Sequence, residues 1–332
     1  MIHFTLFAFL YLFASDHYLN PVEIQDLVHS GLELVYVEKY DAAQAYFDTI
    51  IQLDPENPAG YFFSAGLLQL KMIDECRYTH EEEYLSFMRK TIKYAEKILE
   101  NEENIWAEFY LGSSYINRAL YEGFKDNAFE AFKSSLKGGR ILQDIIKKDS
   151  TFYDAYFGAG TSEYFWARVT RYIPILRLAH GKVDEAIRKL HIAAEKSIYS
   201  RPMSENVLAY IYGEEGKFSK ADSTIDHLLT QYPESRTFLW SKAKLEFKKE
   251  NYAHAADLYS NLFAIYDSHN TKNYANLAQC KFLIGKCFYE LGERDKAKQA
   301  LKEVITYKQY SNEYPVIKDY CREAYGLLSR ML

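Results

Sequence analysis

Apolar residues recur along this chain at helical rather than strand spacing. In GKFSKADSTIDHLLTQYPES, residues 216–235, Ala221, Ile225 and Leu228 stand at offsets of four and seven, one face of a helix with polar residues between. Gly216 ahead of the run and Pro233 behind it suit the turn before and the stop after such a helix. The same ruler fits Ala43, Phe47 and Ile50, then Ala255, Tyr259 and Leu262, then Ala297, Leu301 and Val304. Twelve positions before each anchoring alanine stands a small residue: Gly31, Ala209, Ala243 or Gly285. Strand-like alternation and Gly/Ser-rich linkers are both absent from the sequence, so the pattern predicts an all-α chain.

The step from Ala221 to Ala255 is 34 residues. A small residue on one helix facing a small residue on the next lets two antiparallel backbones approach closely. The bulky residues one and two turns later fill the space between neighbouring pairs. These residues closely resemble the tetratricopeptide-repeat family over four units: 24–57, 202–235, 236–269 and 278–311. The resemblance implies an α-solenoid of stacked antiparallel helix pairs, a superhelix. It departs from the family at Asp267 and Gln309, where proline is frequent, and at Arg294, where an aromatic is usual. Asn270–Leu277 reads as an insertion before the last unit, and residues 314–332 as a capping helix. Residues 58–201 keep the helix-pair pattern but lose the period, with longer helices and loops at DECRYTH and RYIPILRLAH. The expected organisation is one continuous array. Residues 16–201 carry one regular repeat and degenerate pairs, 202–313 carry regular repeats, and 314–332 form the cap.

Composition narrows the function. The chain has 332 residues and a formal charge of −6, which argues against a general nucleic-acid binder. Thirty tyrosines and twenty-one phenylalanines supply unusually many rings. At the N-terminus, Phe4–Ala14 is apolar but short of the roughly 20 residues a membrane span needs. A small-residue exit at Ala14-Ser15 follows, so residues 1–15 are predicted to be a signal peptide, which implies export, to the periplasm or the exterior of a bacterium. No Lys or Arg precedes the apolar run, and the competing readings are a short membrane anchor, a misassigned start that hides a basic segment, or a cytoplasmic protein. Cys76, Cys280, Cys287 and Cys321 lack metal-ligand spacing and read as buried free thiols.

No phosphate-binding, dinucleotide, zinc-protease or serine-hydrolase motif is present, so the expectation is a non-enzyme without cofactor or metal. His80-Glu81-Glu82-Glu83 near Cys76 reads as a charged helix start, as does Asp184-Glu185. The family resemblance places a partner groove on the first helix of each pair. Carried over residue by residue, it comprises Asn206 and Tyr210; Trp240, Lys244, Phe247 and Lys248; and Phe282, Lys286, Tyr289 and Glu290. Aromatics would give contact area and lysines would attract carboxylates, the competing role for the rings being core packing. The lysine–asparagine pair with which some family members clamp chaperone tails is not matched by Asn206/Tyr210 or Trp240/Lys244. A second candidate is a docking loop for a partner or an anionic membrane surface, carrying Trp166, Arg168, Arg171 and Arg177; its competing reading is a helix end and crossover. The function expected is an interaction scaffold for an unidentified peptide or protein. The alternatives are a structural subunit of an envelope-associated assembly, or a small-ligand receptor or enzyme using the irregular middle.

Overall fold

The computed structural model describes residues 19–170 and 182–331. Its helices are α1 (Val22–Val35), α2 (Tyr40–Leu53), α3 (Pro58–Glu75), α4 (Glu81–Leu99), α5 (Ile105–Phe124), α6 (Ala128–Lys148), α7 (Ala155–Thr170) and α8 (Lys182–Lys196). There follow α9 (Arg201–Glu214), α10 (Phe218–Gln231), α11 (Arg236–Lys248), α12 (Tyr252–Ser268), α13 (Tyr274–Glu290), α14 (Arg294–Thr306), a 3-10 turn (Tyr307–Tyr310) and α15 (Ile317–Ser329). The described residues contain no strand. Consecutive helices pack as pairs, the tetratricopeptide-type α-solenoid architecture expected from the sequence. The signal-peptide expectation for residues 1–15 lies outside the described residues. No described helix is long and apolar enough to cross a membrane.

The pairing has a backbone signature that the sequence shows only at its glycines. Each described turn inside a pair carries one residue in the left-handed region: Glu38, Cys76, Asp126, Gly216, Glu250 and Gly292, with φ between 53° and 76°. At every one the same two hydrogen bonds close the first helix, as in Gly216 N to the Gly213 carbonyl and Lys217 N to the Tyr212 carbonyl. The turns after α3 and α5, in the stretch where the sequence period fails, follow this pattern. The small-residue positions also behave as expected: a Cβ on Gly31 would lie 2.4 Å from the Phe47 ring.

The helices form two compact units. The first comprises the described residues up to Gln69 with His80–Leu208; the second comprises Leu70–Thr79 with the chain from Ala209 onward. In the first unit, Phe62, Phe63, Trp106, Phe109, Tyr110, Phe152 and Tyr199 build an aromatic core. Asp154 accepts the backbone N–H groups of Ile198 and Tyr199 at 3.0 and 2.9 Å. The Tyr199 hydroxyl donates to Asn20 Oδ1, and its carbonyl accepts from Tyr36 Oη at 3.0 Å. In the second unit, α15 covers α13 and α14 with Ile317, Cys321 and Ala324 and leaves Lys318, Asp319, Arg322 and Glu323 in water, a polar-backed cap.

The expected insertion at 270–277 resolves into two parts. Helix α12 runs on to Ser268, and α13 begins early, at Tyr274, because the Asn273 side chain caps it by accepting from Ala275 N and Asn276 N at 3.1 Å each. The extra turn carries Asn276, whose purpose appears only in the site below.

Candidate partner-binding face of the second unit

Helix α11 starts where Ser235 accepts the Phe238 N–H, and from there its two sides separate sharply. One side is occupied internally: Lys242 is buried and binds Asp222 at 3.0 Å, Asp226 at 2.8 Å and Glu246 at 3.4 Å. The other side carries Arg236, Trp240 and Lys244, one helical turn apart, followed by Phe247 and Lys248.

At the head of that side lies a corner of the chain itself. Arg236 donates to Asp74 Oδ2 at 2.5 Å, and Tyr266 Oη donates to Asp74 Oδ1 at 2.9 Å. Trp240 Nε1 in turn donates to Tyr266 Oη at 3.0 Å. Burial, and next the Asp74 charge, raise the Tyr266 pKa, so this phenol stays a donor. The early turn of α13 completes the corner: Asn276 Nδ2 donates to the Asp74 carbonyl at 2.6 Å and Asn273 Nδ2 to the Glu75 carbonyl at 2.9 Å. Arg77 pairs with Glu313 at 2.8 Å and lies over the Tyr314 ring. Burial, and after it the Asp74 charge, push the Cys76 thiol up to about 12, which favours the protonated form. The last carbonyls of α3, which a helix end leaves without intrahelical partners, are thus satisfied by asparagine side chains.

Beyond the corner stand two cations of a different kind. Lys244 is open to solvent, with Nζ 5.8 Å from the Trp240 ring centroid, yet protein crowding desolvates its ammonium and lowers its pKa. Lys286 on α13 lies 5.4 Å from the Phe247 ring and 5.6 Å from Phe282. Of the five lysines on α11 and α13, Lys242, Lys248 and Lys281 pair with carboxylates. Lys244 and Lys286 have no carboxylate partner among the described residues.

The residues picked out from the sequence divide accordingly. Lys244 lies beside Trp240 and Lys286 beside Phe247; both rings are half-buried and also pack on the core of the unit, Trp240 on Tyr259 at 5.6 Å and Phe247 on Tyr252 at 5.2 Å. Lys248 sits beside them but is held by Glu214. Phe282 is corrected: it is 5% exposed and stacks on Tyr320 of α15 at 5.7 Å, because the cap covers that side of α13. Tyr289 is half-buried against the same cap-side core, and Glu290 is exposed. Tyr210 is exposed, whereas Asn206 belongs to the first unit, half-buried, with its Oδ1 lacking a donor. Trp166 and Arg168 lie on α7, as the competing helix-end reading of the docking loop had it, Trp166 stacked on Phe132 at 4.9 Å and Arg168 donating to Tyr164 Oη at 3.3 Å. Arg171 and Arg177 lie outside the described residues. Glu81 accepts from Lys125 at 2.8 Å and from Tyr121, as a structural helix start does. The described residues hold no cluster fit for a metal ion. Sequence reasoning missed Asp74, Arg236, Tyr266, Asn273 and Asn276. The one available signal was the broken period at 270–277.

Comparisons with known proteins agree with this architecture. Tetratricopeptide-repeat family models match residues 206–268 and 279–307. No curated protein sequence matches the chain. Among solved structures, a Rap protein complexed with competence and sporulation factor shares 15% identity at a TM-score of 0.52, covering 93% of this chain and 87% of that one. A STAND signal-transduction ATPase with a tetratricopeptide-repeat sensor, from Pyrococcus horikoshii, shares 16% identity at a TM-score of 0.50, covering 92% of this chain and 44% of that one.

Proposed function

We propose that this chain, which belongs to the tetratricopeptide-repeat family, is a non-enzymatic scaffold that holds a peptide or protein partner on the first-helix face of its second unit. Tetratricopeptide-repeat folds commonly bind proteins or peptides. The observation that carries the reading is the contrast among the lysines of α11 and α13. Three are neutralised internally, while Lys244 and Lys286 stand beside rings without carboxylates. A helix-mounted face of this kind is pre-organised, so little side-chain ordering is lost when a partner arrives. The Rap structure, of the same fold, was solved in complex with its factor, which accords with a binding role.

The test is capture from the native host's extract by wild-type protein and by K244E/K286E, after circular dichroism shows equal helicity. A partner held by wild type and lost with the variant supports the reading. Identical captures with both proteins would remove this face from consideration. Export, the companion proposal for residues 1–15, is checked by the N-terminal mass of the mature protein from the host.

A further inference from the structure

The corner formed by Asp74 and Glu75 shows how the second unit reads an acidic stretch of polypeptide. Its side-chain carboxylate takes one cation, Arg236, and one phenol, Tyr266, held in place by the Trp240 indole. Its main-chain carbonyls take two asparagine amides, Asn276 and Asn273. The grip therefore recognises both an acidic side chain and a backbone that continues past it. Cations paired with carboxylates at fixed geometry give the stronger class of hydrogen bond, and amides that read carbonyls fix register.

The same helices continue from that corner to Lys244 and Lys286. We infer that this continuation takes an internal acidic segment of a partner polypeptide, its Asp or Glu side chains on Lys244 and Lys286 and its apolar parts on Trp240 and Phe247. The inference rests on the scaffold reading above and deepens it. Charge complementarity selects the occupant: Lys244 and Lys286 stand beside rings with no acid on them among the described residues, and on a chain whose net charge is −6 they ask for carboxylates. The surrounding protein lowers the Lys244 pKa, and a carboxylate arriving beside that ammonium would offset the effect. Neighbouring Cys76 stays neutral and does not oppose it. A side-chain carboxylate is favoured over a chain terminus because the resident example, Asp74, is an internal residue whose own carbonyl is also bound.

The experiment is fluorescence anisotropy at low salt with the full chain and three labelled decapeptides. One alternates Glu and Leu and is amidated at its C-terminus; one replaces Glu by Gln; one is the Gln peptide with a free carboxyl end. The Glu peptide is expected to bind and the amidated Gln peptide not. K244E/K286E should weaken the Glu peptide about tenfold or more, a difference of about 1.4 kcal/mol. Lys296→Glu, a charge reversal on α14 beside Glu293, should leave it unchanged. If K244E/K286E loses helicity, K244M/K286M decides, with a smaller loss expected. Equal binding of both amidated peptides, no effect of either double variant, absence of binding, preference for the free carboxyl end, or equal competition by an oligothymidylate would each overturn the inference. Where the Glu peptide fails but K244E/K286E still loses a host partner, the acidic class is wrong and the scaffold reading stands; failure of both removes both.

Discussion

Arg236 and Asp74 lie 162 positions apart in the chain and meet at 2.5 Å at the head of α11. Both side chains are mostly shielded from water, so neither charge is stable there without the other.

The first prediction follows from that dependence. Asp74→Ala and Arg236→Ala should each cost about 2 kcal/mol, since each takes the opposite charge away from a partly desolvated one. The double variant should cost clearly less than the sum, which urea unfolding of all four proteins measures as a coupling energy. Strict additivity would show that the contact contributes nothing.

Two lysines two positions apart, on different sides of α11, should behave in opposite ways. Lys242 holds Glu246, which is 2% exposed, and two aspartates; its replacement by alanine should destabilise the fold by about 2 kcal/mol. Lys244 holds no acid, and Lys244→Ala should change stability by no more than about 0.5 kcal/mol. The unfolding midpoints decide, and a large loss at Lys244 would make that residue structural.

Acidity should tune the first unit through Asp154. Burial raises its pKa to about 6, against the two backbone N–H groups and Arg201, which pull it down. The ordinary aspartate value is about 4, so the folded state holds the proton more tightly than the unfolded one. The associated stabilisation is complete below about pH 4 and is lost as pH rises through about 6. Asp154→Asn removes this titration, so wild type should lose ground to the variant between pH 4 and 6 in urea midpoints measured across that range. A constant difference would refute the assignment.

Glycine substitutions separate close approach from open space. A Cβ on Gly138 would lie 2.6 Å from the Gly112 carbonyl oxygen, backbone of α5 that cannot yield easily. Gly138→Ala should therefore cost about 1–3 kcal/mol despite alanine's better helix propensity. A Cβ on Gly123, near the end of α5, meets nothing within 4 Å, and Gly123→Ala should stabilise by up to about 1 kcal/mol. Thermal melts of the two variants should move in opposite directions.

What the sequence by itself determined is the local part. Helix pairs, their small-to-small contacts and the four regular units follow from spacing, because residues four and seven apart share a helix face whatever surrounds them. Even the irregular middle was legible as pairs, although its left-handed turns were not, since Cys76 and Asp126 fill the two described positions where glycine would have announced them. Which neighbour covers a given face was decided only by the tertiary structure. Periodicity placed Phe282 and Trp240 at equivalent positions of successive repeats; the α15 cap buries the first under Tyr320, while the second is only half-buried. Periodicity also left Asp74 as one more charge at a helix end. Its arginine, phenol and asparagines come from α11, α12 and α13, brought to it by folding. The composition of a helix face is set by residues within two turns, but its occupation is set by contacts across more than a hundred.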